Sequence, residues 1–325
     1  MTRRELAKLA NVSASTVSKA FNNAEDISED TKNHVFQVAK QYGCYGMFDK
    51  GKYHKKIIAV ICPEFASNYY AAFIECFEEL IEAENGIAVL SSDRFDRGKA
   101  TELIEYYASY MKADGMIVLG CSGMSQKGYA TPIVSVFPEA GCYIDSVNVN
   151  LEQAVFDSVR VLTDYGHKNI AFIGESHTKG KAAFYQKAMK SIGNSHINII
   201  ESEYRFEEAG EDGVRRLLAS GIGCTALICA YDNIAFGAIR ELKKAGLRVP
   251  DDISVVGIDN INTGQYTETS LTTIDTNPKE VCFTAWNILR EKMKNPYFQS
   301  RKNIVIEAKL IVRESISRCR LSITD

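Results

Sequence analysis

The chain lacks the hydrophobic runs that carry a protein into or across a membrane. No stretch of its 325 residues approaches the roughly 18 consecutive apolar residues of a membrane span. The opening Met1-Thr2-Arg3-Arg4-Glu5-Leu6 has no apolar run of signal-peptide length. A soluble, cytoplasmic protein with no membrane partner is therefore expected. Nine cysteines, at 44, 62, 76, 121, 142, 224, 229, 282 and 319, form no CxxC pair and have no histidine at zinc spacing. This argues against a zinc site and a disulfide framework, and predicts reduced, mostly buried thiols. Enzyme motifs are missing as well. The segment from Gly174 to Ala182 is placed as a phosphate-binding loop would be, yet five residues separate its glycines and Ala182 follows Lys181. Such a loop needs four, and a Ser or Thr after the lysine to hold magnesium. No GxGxxG follows the first apolar run, and Gly120-Cys121-Ser122-Gly123 is not a hydrolase GxSxG. His34, His54, His167, His177 and His196 have no obvious acid partners in sequence, and most read as surface or loop residues. No catalytic residue, cofactor or metal is expected.

With 46% hydrophobic residues the chain has material for two or three domains with real cores. The first 43 residues carry two short helical patterns joined by Asn11-Val12-Ser13. Thr2 can cap the first, whose stripe is Leu6, Ala7, Leu9 and Ala10, and Ser13 can cap the second. Val17, Ala20 and Phe21 repeat at i, i+3, i+4 and face inward, leaving Ala14, Ser15, Thr16, Ser18 and Lys19 outside. Short polar side chains let a helix sink into a major groove roughly 12 Å wide, where hydroxyls meet phosphates or base edges and a lysine reaches a guanine. Ser28 caps a third helix in which Val35, Phe36, Val38, Ala39 and Tyr42 close a small core before Gly43. Charge follows the same division. Residues 1–56 hold ten basic and six acidic side chains, net +4, and the remainder 28 and 35, net −7. A positive head on an acidic body binds phosphate locally.

From Lys55 onward the period changes. Apolar runs of strand length at 57–62, 87–90, 115–119 and 133–136 alternate with helical stretches around 73–81 and 98–112. A second series has helices at 150–166, 180–191, 207–220 and 232–245, with strands at 170–174, 197–200, 226–229 and 253–258. Two alternating runs imply two doubly wound α/β lobes with parallel sheets. Ligands in such lobes sit beyond the carboxyl ends of the strands. Asp93, Asp232 and Asp259 stand there as hydrogen-bond acceptors, and Asn68, Tyr69 and Tyr70 can form an aromatic wall for a sugar. Taken singly, each acid is equally a helix cap or loop residue.

The stretch Thr2 to Asn23, TRRELAKLANVSASTVSKAFNN, resembles the DNA-binding headpiece of the LacI/GalR repressor family. The body resembles that family too, in Lys168–Gly174, in Ala230–Ala238, in Ala245–Asp259 (AGLRVPDDISVVGID), in Leu271–Ile274 and in Val312–Ser315. The resemblance implies a lambda-repressor-like all-α headpiece of three helices (1–43) and a hinge (44–56). It also implies a body of periplasmic binding protein-like type I fold. The N-terminal lobe would be 57–150 with about 277–303, and the C-terminal lobe 151–276 with about 304–325. The helix near 279–294 would cross back to the first lobe and a strand Ile304–Val312 would tie both together. Lys181 stands where the family usually has a ligand-binding arginine, replacing a planar fork by a point charge. The hinge departs furthest. In place of the family's Pro-Asn and Ala-Arg-x-Leu stretch it has three glycines in nine residues, with Tyr45, Met47, Phe48 and Tyr53 among Lys50, Lys52, Lys55 and Lys56. That composition suits lying along phosphates, or equally a flexible solvated linker.

The expected DNA-contacting set is Thr2, Ala14, Ser15, Thr16, Ser18, Lys19, Asn22, Tyr45 and Lys52. The expected effector-binding set is Asn68, Tyr69, Tyr70, Asp93, Lys181, Asp232 and Asp259. The function expected is a dimeric repressor on pseudo-palindromic double-stranded operator DNA, controlled by a small carbohydrate between the lobes. Control by a protein partner, a solute-binding protein and a nucleotide enzyme are the alternatives.

Overall fold

The computed structural model describes residues 1–48, 55–120, 129–139, 141–194, 196–295 and 300–320. The chain divides into two compact units, the first holding Met1–Ile57 with Glu84–Ile87 and the second the remainder.

The first unit is helical: α1 (Arg3–Leu9), α2 (Ala14–Phe21), α3 (Glu29–Gln41) and a single turn, α4 (Tyr45–Phe48). A hydroxyl starts each of the first three. Thr2 accepts from the Glu5 N–H, Ser13 from Thr16 and Ser28 from Thr31. They also end alike. Asn11, Asn23 and Gly43 take left-handed φ values of 51°, 51° and 64°. The next N–H then reaches back five residues: Val12 to Ala7 (2.9 Å), Ala24 to Lys19 (3.0 Å) and Cys44 to Ala39 (2.9 Å). Leu6, Val17, Val35 and Ala39 are fully buried between the helices. Tyr42 and Leu9, expected in this core, are exposed, and Cys44 and Phe48 are buried in it instead. Residues 44–48, expected in the hinge, thus pack with this helical unit. Phe21 and Phe36 present ring faces that need cover, and Tyr45 and Phe48 supply it from a fourth helical turn. The rest of the expected hinge, residues 49–54, lies outside the described residues.

The second unit has two six-stranded sheets. In the first the order is β11-β5-β4-β3-β1-β2, from β1 (Lys56–Cys62), β2 (Gly86–Ser92), β3 (Gly115–Leu119), β4 (Ile133–Val136), β5 (Asp145–Asn150) and β11 (Asn303–Glu307). In the second it is β12-β10-β9-β8-β6-β7, from β6 (Ile170–Glu175), β7 (Asn198–Ser202), β8 (Ala226–Cys229), β9 (Ser254–Ile258), β10 (Thr272–Asp275) and β12 (Lys309–Ile311). Parallel pairing sets Ile58 opposite Gly115 and Leu227 opposite Val255, whereas β12 runs antiparallel to its neighbour β10. Strands β3, β4, β6, β8 and β9 are buried throughout because helices cover both faces, which is why they read as unbroken apolar runs.

The helices are α5 (Asn68–Ala83), α6 (Arg97–Glu105), α7 (Leu151–Asp164), α8 (Lys179–Ser191), α9 (Phe206–Ala219), α10 (Asp232–Lys244) and α11 (Pro278–Lys294). The stretch expected as a helix over 98–112 changes to π-helical turns at Tyr106–Tyr110. Helices α9 and α10 cross in backbone contact at Gly210 and Gly237, where a Cβ would overlap the Ile234 and Glu207 carbonyls. Helix α11 packs on α5, β3, β4 and β5, so it covers the first sheet. The single strand expected over 304–312 is two. Asn303–Glu307 pairs with β5 of the first sheet and Lys309–Ile311 with β10 of the second, so the lobe boundary expected at 304 falls at Ala308. Of the five histidines, read mostly as surface or loop residues, His167 is buried, with its ring nitrogens on Thr225, Ser254 and the Ser317 carbonyl.

Candidate DNA-binding face and effector cleft

Helix α2 turns Val17, Ala20 and Phe21 into the small core and leaves the opposite side open. Ala14, Ser15, Lys19 and Asn22 are exposed there, and Thr16 and Ser18 are half-buried. These groups differ in readiness. The Thr16 hydroxyl is tied to Ser13 Oγ at 2.8 Å, and Asn22 Nδ2 donates to Ser18 Oγ at 3.4 Å. Thr2 is occupied as a cap in a reciprocal pair, its N–H on Glu5 Oε2 at 2.7 Å. Lys19 forms an ion pair with Asp26, which holds the Asp26 carboxyl below its usual range. Ser15 is the exposed hydroxyl in the first turn of the helix. Tyr45 was expected along phosphates. Its ring instead packs 5.5 Å from Phe21 and 5.3 Å from Phe36, with Lys40 Nζ 5.0 Å from its centroid. Lys52 lies outside the described residues.

In the second unit, loops leaving the carboxyl ends of both sheets meet across a cleft. Among the described residues, seven non-glycine positions on these loops have positive-φ backbone: Arg94, Phe95, Phe137, Phe206, Asp259, Asn260 and Asn277. Each such residue costs on the order of 1 kcal/mol, and clustering of that cost marks functional loops.

Lys181, from the first turn of α8, fills the middle of the cleft. Its Nζ donates to the Ala230 carbonyl at 2.8 Å, pairs with Asp259 Oδ1 at 3.4 Å, and lies 4.4 Å from the Tyr231 ring and 5.9 Å from that of Tyr69. Burial pushes the Asp259 carboxyl up to about 7; Lys181 pulls it down and Asp232 pushes it up further. Burial likewise holds the Tyr69, Tyr70 and Tyr231 hydroxyls protonated, far above their usual range.

The expected effector residues do not form one wall. Tyr69, Lys181 and Asp259 come together in the centre. Tyr70 and Asp93 line a flanking cavity of about 430 Å³, shared with Phe95, Arg97, Phe137, Glu139 and His177. Asn68 lines a second cavity, of about 700 Å³, together with Tyr69 and Asp259. Asp93 is buried and accepts from the Phe95 N–H at 2.9 Å, with burial raising its carboxyl. Asp232 belongs to the scaffold. Fully buried, it accepts from the Thr273 hydroxyl at 2.6 Å and the Ile261 N–H at 2.8 Å, so its two oxygens tie the loop after β9 and strand β10 to the start of α10. Burial pushes it up to about 6, against those two bonds.

The lobes are also joined by residues that the sequence reading passed over. Arg205 makes a forked pair with Glu64 of the first lobe, 2.7 Å and 3.0 Å, and its Nε bonds Glu175 of the second at 3.0 Å. The bonds to Glu64 hold the guanidinium protonated above its usual range, ahead of those to Glu175. Phe95 stacks on His177 across the same gap, centroids 4.3 Å apart. Glu64 and Arg205 are 141 residues apart in sequence, and nothing local signals the pair.

A helix-turn-helix headpiece with an open polar recognition helix, on a two-lobed body whose strand ends meet at a cleft, defines a DNA-binding transcriptional regulator. Residues 2–45 match the bacterial regulatory proteins of the lacI family, and residues 159–316 match the periplasmic binding protein-like domain. The chain thus carries a lacI-family DNA-binding domain followed by a periplasmic binding protein-like domain. It is 29% identical to the HTH-type transcriptional repressor PurR of Klebsiella pneumoniae over 336 residues, 97% of each chain. The fold matches that of the lac repressor dimer bound to operator and the anti-inducer ONPF, with TM-score 0.77, 20% identity and coverage of 98% and 99%. It also matches a LacI family regulator from Enterococcus faecium with bound ribose, with TM-score 0.71, 19% identity and coverage of 82% and 100%.

Proposed function

We propose that this chain is a repressor working in the cytoplasm, that it binds pseudo-palindromic operator DNA as a homodimer, and that a small carbohydrate-like effector in the body cleft controls it. The exposed face of α2 carries the first part of this reading. Ala14 and Ser15 allow close approach to the groove, and Lys19 exchanges Asp26 for a guanine or phosphate on DNA. One headpiece spans too little sequence for specificity, and two related by a two-fold axis read half-sites about 34 Å apart. The relative named as a repressor and the neighbour solved on operator support it.

For the effector, the flanking cavity sets the carboxylates of Asp93 and Glu139 and the guanidinium of Arg97 against the rings of Tyr70, Phe95 and Phe137. Hydrogen-bonding groups beside aromatic faces are what sugar hydroxyls and C–H surfaces need. The ribose-bound neighbour supports this chemistry. The effector acts through differential affinity for two lobe arrangements, one held by the Arg205 fork. A second reading, control by a protein partner, draws on Lys181, whose side chain already fills the space between Tyr69 and Tyr231. The chain works by binding, not catalysis.

Selection of binding sites from random duplex DNA, with full-length protein at near-physiological salt, tests the proposal. A palindrome of about 14–20 base pairs is expected. Recovery of only sequence-independent, salt-sensitive binding overturns it. With that operator in hand, pentoses, hexoses and their phosphates are screened for a shift in affinity. No response to any of them favours the protein partner.

A further inference from the structure

Cys76 and Cys282 face each other where α5 packs on α11. The Cys282 thiol, fully buried, donates to the Phe73 carbonyl at 3.6 Å. Phe73 lies three residues before Cys76, so both are on one face of α5, and the Cys282 sulfur rests on that face beside Cys76, close enough for each thiol to act on the other's proton affinity. The environments differ. Cys76 is half-exposed and borders an open cavity of about 700 Å³ together with Glu75, Glu79 and Lys279, whereas Cys282 has no surface of its own. We propose that this pair is a peroxide-sensitive dithiol, with Cys76 as the attacking thiol and Cys282 as the resolving one.

When the Cys282 thiol turns its one proton from the Phe73 carbonyl to the Cys76 sulfur, that bond and the charge of Lys279 favour the Cys76 thiolate against burial and the carboxylates of Glu75 and Glu79, so this thiol is held below its usual range. Burial instead raises Cys62, Cys224 and Cys229, which directs oxidation away from them. A reactive, accessible thiol beside a buried partner is the arrangement that turns oxidation into a disulfide and prevents irreversible damage. In the first step the Cys76 thiolate attacks one peroxide oxygen. An S–O bond forms, the O–O bond breaks, and hydroxide leaves to become water. In the second, Cys282 gives up its proton and attacks the sulfenic sulfur. The S–S bond forms and the S–O bond breaks, releasing a second water. Two thiols are oxidised and one hydrogen peroxide is reduced by two electrons. Tyr69 is two helical turns from Cys76 on α5, so a bond fixing that helix to α11 acts next to the Tyr69 ring in the cleft.

Full-length protein is exposed to hydrogen peroxide, quenched with catalase, alkylated after denaturation and mapped by mass spectrometry. The expected result is a Cys76–Cys282 cross-linked peptide, a loss of two alkylation sites, full reversal by dithiothreitol, and consumption of Cys76 at least tenfold faster than that of the other cysteines outside the pair. In Cys282→Ser protein, Cys76 is expected to accumulate as sulfenic acid captured by a dimedone reagent, without a cross-link. Loss of Cys76 no faster than that of the remaining cysteines, or its pairing with a different cysteine, overturns the proposal. So does an unreactive Cys76 in the Cys282→Ser variant when that variant retains its native circular dichroism.

Discussion

Asp259→Asn is the substitution whose effect follows most directly from the cleft. The wild-type carboxyl, buried beside Lys181 and Asp232, titrates near 7 in the folded chain and near 4 when unfolded. Below about pH 4 both states hold the proton, and the carboxyl is neutral in each. Between those values the folded state keeps a proton that the unfolded state releases, so stability falls as pH rises. The amide has the same shape and does not titrate. Integrating the linkage from pH 5 to pH 7 gives a loss of about 2 kcal/mol for the wild type relative to Asp259→Asn. Asp232 titrates in both proteins and largely cancels from the difference. The assay is urea unfolding at pH 5, 6 and 7, followed by circular dichroism and by the fluorescence of Trp286, the single tryptophan, buried on α11. A stability difference constant within about 0.5 kcal/mol, or one that moves the opposite way, refutes the argument that burial dominates this carboxyl. A carbohydrate that hydrogen-bonds the ionised form should flatten the wild-type curve.

Three further outcomes are expected. Gly237→Ala should destabilise the body by roughly 3 kcal/mol or more in the same unfolding assay, because its Cβ meets the Glu207 backbone of α9 and neither helix can yield locally; a change below about 0.5 kcal/mol would mean that α9 and α10 are not in backbone contact. Arg205→Ala should cost about 2 kcal/mol, since it strands the buried Glu175, whereas Glu64→Gln should cost under about 1 kcal/mol and chiefly loosen the lobes; equal effects on stability, with no change in X-ray scattering radius for either, would remove the bridge as a latch. Lys19→Ala and Ser15→Ala should each lower the ratio of specific to nonspecific operator binding about tenfold, and Asp26→Asn, which frees Lys19, should strengthen nonspecific binding and steepen its salt dependence. Unchanged ratios in both of the first two variants would take those residues out of base readout.

Local chemistry was legible where a residue acts on its neighbours. Thr2, Ser13 and Ser28 announce helix starts because a cap needs only the next turn, and buried parallel strands announce themselves as apolar runs. Strand β5 was missed because Asp145-Ser146-Val147-Asn148-Val149-Asn150 has two apolar residues in six; its polar groups are bound by a later segment, Asp145 by the Lys302 N–H and Asn150 by Glu307. The site was legible only as positions at strand ends. Asp232 and Asp259 look alike in sequence, and what separates them is Thr273, 41 residues beyond Asp232, which turns the first into a loop anchor. Tyr45 looked like a groove-seeking aromatic because its partners, Phe21 and Phe36, are on other helices.

The strand that divides at Ala308 limits how the two lobes can move. Chain passes between them at three places: from β5 into α7 at Asn150, from β10 into α11 at Asn277, and from β11 into β12 at Ala308. The first and third are tied together by the Asn150 amide on Glu307 and by the Ala308 N–H on the Asn150 carbonyl. A body held at one crossing could twist or slide in any direction. Three crossings, two of them bonded side by side, leave a swing about a single line as the soft motion, as a door moves on aligned pins. Under the effector control proposed above, a signal passed through such a joint has one coordinate, and molecules of different shape in the cleft are reported only by the angle at which they stop it.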